Sequence, residues 1–138
     1  MEKINFKAMM VKNHNKIVGF FNQFKRAINN RDKSFNKFKW ELEKHLFIEE
    51  NIIFSHTKLK MGDDLIIPRL IEEHKDMLKM LGSLKGDLAN KIKLKKFEEL
   101  LKKHRNFEDK TLYPLLDKRL NDSEKRDISE RINNVKMY

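Results

Sequence analysis

The sequence predicts an all-α protein, an up-down-up-down four-helix bundle with a short extra helix at its C-terminal end. Two observations point there. The 138 residues include only four Gly and two Pro, and hydrophobic (39%) and charged (38%) residues are nearly balanced, a composition that suits long amphipathic helices better than strands and turns. Apolar residues also recur at three- and four-residue steps through four long segments with short breaks between them, so each segment buries one stripe.

The first helix is expected over about 4–29, with Met10, His14, Ile17, Phe21, Phe24 and Ile28 on its seam. After the polar turn Asn30-Arg31-Asp32, a second runs over about 34–60 with Phe38, Leu42, His45, Glu49, Ile52 and His56 on its seam. Met61-Gly62-Asp63-Asp64 reads as a loop. Pro68 suits a first helical turn, so a third helix runs from there to about Ala89, with Ile67, Ile71, His74, Leu78 and Leu81 on its stripe despite Gly82 and Gly86. The fourth covers about 91–120 and presents Leu94, Phe97, Leu101, His104, Glu108, Leu112 and Leu115. Asn121-Asp122-Ser123 supplies capping residues for a short helix through about 135, a lid or brace on the bundle. Short connections favour antiparallel neighbours. The whole of 1–138 is expected to form one domain, with the bundle over about 4–120 and the extra helix over about 122–135.

Composition removes several function classes. With no cysteine there is no disulfide framework, thiolate metal site or cysteine nucleophile. There is no apolar run of eighteen residues, and MEKINFKAMM lacks the apolar core of a secretory signal, so a cytoplasmic protein with no membrane partner is expected. The formal charge of +10 raises the question of nucleic acid, but Lys alternates with Glu in stretches such as KIKLKKFEELLKK. That is the pattern of a solvated helix face, and no groove-reading motif accompanies it.

The seams carry ionisable residues where packing calls for apolar ones. A buried carboxylate without a partner costs several kcal/mol, on the order of the penalty for a lone ion inside a protein. A shared metal would remove that cost, because imidazoles and carboxylates are ligands of first-row metals and residues at i and i+4 share a helix face. The halves also repeat. His45-x-x-x-Glu49-Glu50-x-x-Ile53-Phe54 matches His104-x-x-x-Glu108-Asp109-x-x-Leu112-Tyr113, and Asn13-His14-x-x-Ile17 echoes Glu73-His74-x-x-Met77, at offsets of 59 or 60 residues. Counted from the middles of the turns near Asp32 and Asn90 at ~1.5 Å per helical residue, His14, His45, Glu49, His74, His104 and Glu108 fall at one level. Scattered structural histidines would show neither the shared period nor the shared height. His56 lies ~10 Å further along the axis, has no counterpart in the other half, and is read as structural or partly solvated. Trp40 and Tyr113 are read as core or interface aromatics.

One histidine on the first helix, H-x-x-x-E on the second, histidine on the third and H-x-x-x-E on the fourth resembles the hemerythrin-like (HHE cation-binding) family. The resemblance covers roughly Met9 to Leu116 and is carried by MMVKNHNKI, HLFIEENIIF, LIEEHKDML and HRNFEDKTLYPLL. Ferritin-type bundles use E-x-x-H, which the relevant helices lack. The resemblance implies a non-haem di-iron centre that binds dioxygen or nitric oxide, or serves iron storage, sensing or repair. Carried over by position, His14 and His45 would bind one iron, His74 and His104 the other, and Glu49 and Glu108 would bridge, with Asp109 a competitor for the last role. Oxygen-carrying members have a fifth histidine where this chain has Leu78, which leaves one metal less saturated.

The leading expectation is therefore a dioxygen binder or sensor with two iron ions. The alternative is a redox enzyme or repair protein that handles nitric oxide or peroxide or donates iron, and a third reading is a metal-stabilised helical interaction module. The same donors would accept manganese or zinc. Phe21, Phe24, Phe47, Ile52, Phe107 and Leu78 are expected to limit water entry, and Glu50, Glu72 and Glu73 either orient imidazoles or are solvated charges. Oligomeric state stays open.

Overall fold

A computed structural model describes residues 5–61 and 65–135. Within them the chain is an all-α helical bundle with no strand. Its elements are α1 (Phe6–Arg26), α2 (Arg31–Ile48), a first π-helical segment (Glu49–Phe54), α3 (Ser55–Met61), α4 (Ile66–Lys85), α5 (Lys91–Phe107), a second π segment (Glu108–Leu112), α6 (Tyr113–Arg119) and α7 (Asp122–Asn133). Among the described residues no helix is long and apolar enough to cross a membrane.

Local chemistry sets the ends. The Asn5 side chain accepts from the Ala8 N–H at the start of α1, and Asn90 accepts from Ile92 and Lys93 at the start of α5. Each satisfies amide donors that a first helical turn leaves free. Asn30 adopts φ 57° before α2, a left-handed conformation that Asn tolerates better than most residues. This ends the first hairpin turn at Asn30, so Arg31 and Asp32 are helical. Asn121 and Glu124 form a reciprocal capping box on α7. Asp117 ties the ends of the bundle together: its carboxylate accepts from the Phe6 N–H (2.8 Å) and the Lys7 N–H (3.0 Å) and pairs with Lys125.

Two apolar clusters fill the interior. One gathers Phe6, Met10, Ile52, Ile53, Phe54, Leu70, Tyr113 and Leu116, with Ile128 of α7 packed into it as the expected brace. The other lies toward the hairpin turns and includes Phe21, Phe24, Phe35, Phe38, Leu81 and Phe97. Between them each long helix places its buried histidine, His14, His45, His74 or His104.

Both π segments shift the seam. The i→i+5 bonding of a π turn inserts one residue; in the second segment the Tyr113 N–H reaches the Glu108 carbonyl. One added residue rotates the following helix by about 100°. The buried face therefore passes from Ile52 to Ile53, Phe54 and Thr57, which leaves His56 exposed, and from Leu112 to Tyr113 and Leu116, which leaves Leu115 only partly buried. On α4 the stripe runs Ile67, Leu70, His74, Met77, Leu81, Leu84, not through Leu78, which is 43% exposed. Ile28 lies beyond the end of α1 and is 93% exposed. Position 4 and most of the loop expected at 61–64 lie outside the described residues; Met61 itself closes α3.

Replacing the carboxylate that caps α1 gives a direct test of this architecture. Asp117→Ala should lower unfolding stability by about 1–2 kcal/mol, read as a reduced urea midpoint. An unchanged midpoint would contradict the capping role.

Candidate metal centre

The middle layer brings together all six residues singled out in the sequence. His14 comes from α1, His45 from α2, His74 from α4 and His104 from α5, while Glu49 and Glu108 are the opening residues of the two π segments. Glu49, Glu108 and His74 have no solvent exposure, and the other three histidines are almost fully buried. Each Glu stands four residues after a histidine of its own helix and reaches across to the other hairpin as well.

The imidazoles meet in pairs through Nε2: His14 and His45 at 3.1 Å, His74 and His104 at 3.2 Å. Glu108 Oε1 lies 3.2 Å from His14 Nε2 and Oε2 lies 3.3 Å from His104 Nε2. Glu49 Oε1 sits against His45 Nε2 and 3.8 Å from His74 Nε2. Two overlapping donor groups result: His14, His45, Glu49 and Glu108 form one, His74, His104, Glu49 and Glu108 the other, with donor atoms in each within 4.8 Å of one another. Both carboxylates belong to both groups, which is the placement bridging ligands need.

Every histidine is aimed from behind. His14 Nδ1 donates to Asp109 (2.8 Å), His45 Nδ1 to Asn13 (2.6 Å), His74 Nδ1 to Glu50 (3.1 Å) and His104 Nδ1 to Glu73 (2.8 Å). These oxygens accept, so each proton sits on Nδ1 and the Nε2 lone pair faces the centre, as in metal-ligating histidines generally. The partners follow the pseudo-twofold pattern. The residue before His14 or His74 holds the other histidine of its hairpin, and the residue after Glu49 or Glu108 holds a histidine of the opposite hairpin.

Asp109 is thereby occupied in orienting His14, and Glu50 and Glu73 orient imidazoles. Glu72 does not; it is exposed and pairs with Lys75. Asn13 was not anticipated in this role, although its repeat partner Glu73 is acidic and offered a signal. Of the apolar residues expected to limit water entry, Ile52 is buried nearby, while Phe21 and Phe24 lie deeper in the turn-side cluster. Phe47 and Leu78 are exposed at 45% and 43% and shield nothing. Phe107 is partly buried beneath the Arg69 guanidinium. Trp40 lies under Lys37 and Lys44 on the surface, whereas Tyr113 points its hydroxyl into the centre.

The electrostatics are those of a site built around positive charge. The Glu49 and Glu108 oxygens accept no well-formed hydrogen bond despite complete burial, a condition that is costly unless a cation is shared. Burial, and then the Glu108 charge, push Glu49 up to about 7. Glu108 stays well below the ordinary carboxylate range: burial opposes this, but hydrogen bonding with Glu49 and the His104 charge outweigh it. Burial lowers His45 and His104, yet the facing carboxylates win and raise them to about 10 and about 9. His74 is held down to about 4 by burial and by the His104 charge. The protein's own residues thus gather protons where cations could replace them.

The chain matches the model of the hemerythrin HHE cation-binding domain over residues 5–116. It belongs to this family of helical cation-binding proteins, and the matched span contains all six central residues. No curated protein and no solved structure matches the chain.

Two predictions follow from the geometry. Glu73→Ala removes the acceptor behind His104 and should weaken cation affinity about 10–100-fold, while Glu72→Ala should leave it unchanged; zinc competition titrations compare the two. Because raised histidine pKa values mean protons compete with metal, affinity should rise as pH rises toward about 9–10. Calorimetry in buffers of different ionisation enthalpy should then detect proton release at pH 7, and equal heats in all buffers would contradict the assignment.

Proposed function

We propose that the protein is a non-haem di-iron protein that binds dioxygen, as a carrier or sensor. His14 and His45 would hold one iron, His74 and His104 the other, and Glu49 and Glu108 would bridge them. An iron pair would supply the reversible electron transfer that dioxygen binding needs. The observation that carries the reading is a cavity of about 20 Å³ against His14, His45 and His104, walled by apolar Ile17, Leu42, Leu46 and Met77. That volume admits one molecule about the size of water, and its walls favour an uncharged diatomic over a larger polar substrate.

The protein's own residues have defined tasks in this account. The four Nδ1 acceptors aim each Nε2 inward, and the two apolar clusters keep bulk water from the layer. Val18, Leu101 and Arg105 line both this cavity and a neighbouring one that extends between α1 and α5, which supplies a route for a small ligand.

A second reading is favoured by one observation. Leu78 stands where oxygen-carrying members place a further histidine, and its side chain is half exposed, so no protein donor fills that place. A less saturated metal suits redox or repair chemistry on nitric oxide or peroxide. Anaerobic loading with Fe(II) followed by cycles of oxygen admission and removal separates the readings. A reversible visible band is expected for the dioxygen binder. Irreversible oxidation with turnover of peroxide or nitric oxide would replace it with the second reading.

A further inference from the structure

The last helix, α7, lies outside the 5–116 span that the family model matches, yet it walls a cavity beside the metal layer. The cavity measures about 610 Å³ and lies between α1, the end of α2 and the last turn of α7. That volume is in the range of small-molecule sites rather than of a diatomic. Its apolar lining is Met9 and Met10 of α1, Ile48 of α2 and Ile132 of α7. Ser129 Oγ meets Met9 Sδ at 3.7 Å where α7 crosses α1.

The charged lining has one sign. Lys12, Asn13 and Lys16 follow Met9 at helical spacing, so all four share a face of α1. Among the described residues no carboxylate lines the cavity or pairs with Lys12, and Lys16 has only a loose pairing with Glu41 at 3.9 Å. Asn13 is half-buried and joins the cavity to the layer. Its Oδ1 accepts from His45 Nδ1 at 2.6 Å, which leaves the two Nδ2 protons for the cavity. The other three imidazoles are braced by carboxylates, which have no donor to offer. Asn13 is the one brace of the four that can hold an imidazole and a ligand together.

We infer that this cavity is an effector site for a small organic anion with an aliphatic body, coupled to the cation centre through Asn13. The body would lie on Met9, Met10, Ile48 and Ile132, and the anionic head would take Lys12, Lys16 and the Asn13 Nδ2 protons. An anion drawing on Nδ2 polarises the amide and makes Oδ1 a stronger acceptor for the His45 proton. His45 Nε2 then gives its lone pair more readily to a cation, so anion and cation favour each other. The inference rests on a cation in the layer, and not on its being iron or on what that iron binds.

The test is calorimetry on the full chain, with zinc as the cation and octanoate as the anion. Octanoate should bind the metal-free protein at one site, more tightly than acetate, which lacks the body, and more tightly than octan-1-ol, which lacks the charge. Changing Lys12 and Lys16 together to Ala should weaken octanoate about tenfold, the size of two partly exposed ion pairs, without altering zinc affinity in its absence. Saturating octanoate should tighten zinc about fivefold, and zinc should tighten octanoate by the same factor. The His45 Nδ1–H proton resonance should move downfield on adding octanoate, which a bystander site would not cause. Absence of saturable octanoate binding, or equal binding in the double Lys variant, overturns the inference. Tightening of zinc by acetate as strong as that by octanoate overturns it too, because a carboxylate would then be a ligand of the zinc itself. Octanoate binding without zinc uptake would fail the cation reading, whereas octanoate binding and zinc uptake with no coupling between them would fail this inference alone.

Discussion

Two carboxylates, Glu49 and Glu108, lie in the middle of the bundle with no exposure and no well-formed hydrogen bond to either of their oxygens. Interiors do not tolerate such groups without compensation, and the rest of the layer supplies it. Four imidazoles surround the pair, and four outward acceptors fix each imidazole so that a lone pair faces in. Two apolar clusters, one on each side, hold the layer rigid and dry. Without a cation the two carboxylates repel each other and the facing histidines hold protons to balance them, which is the origin of the upward shifts at His45, His104 and Glu49.

The π segments reconcile the ligand layer with ordinary helix packing. A carboxylate that serves both hairpins, followed by a residue that braces a histidine of the opposite hairpin, needs two adjacent side chains directed toward the interior. A regular α turn would separate consecutive side chains by about 100°. The wider π turn eases that separation, and it occurs at both Glu49-Glu50 and Glu108-Asp109. Local departures from regular helix are frequent at functional sites, and here one follows each H-x-x-x-E sequence.

Most of this organisation was legible in the sequence. Histidines and glutamates on apolar seams, repeated at one period and one height, gave the helices, the hairpin pairing and the six residues of the layer. The π turns were not legible, because hydrophobic periodicity is read against an α-helical repeat and an inserted residue appears only as a seam that drifts. Hence Leu115 was placed on the buried face and proved only partly buried, with Leu116 in its place, and His56, on the seam but read as structural or partly solvated, is exposed while Thr57 is buried. Leu78 was misplaced for a different reason: α4 offers apolar residues at both Met77 and Leu78, and only packing against its neighbours decides between them. The orienting role of Asn13 escaped notice because a neutral amide beside a histidine carries no charge signal, although the geometry gives it the shortest of the four bonds behind the imidazoles.

The central claim is that two cations share Glu49 and Glu108. X-ray absorption on the metal-loaded protein tests it most directly, since the fine structure reports both the ligand atoms and any second metal nearby. The account predicts a first shell of nitrogen and oxygen only and a metal–metal vector of about 3.5–4 Å, the separation usual in two-metal sites. A well-ordered shell with no metal neighbour at full loading would contradict it, and would mean that the two donor groups do not act as one centre.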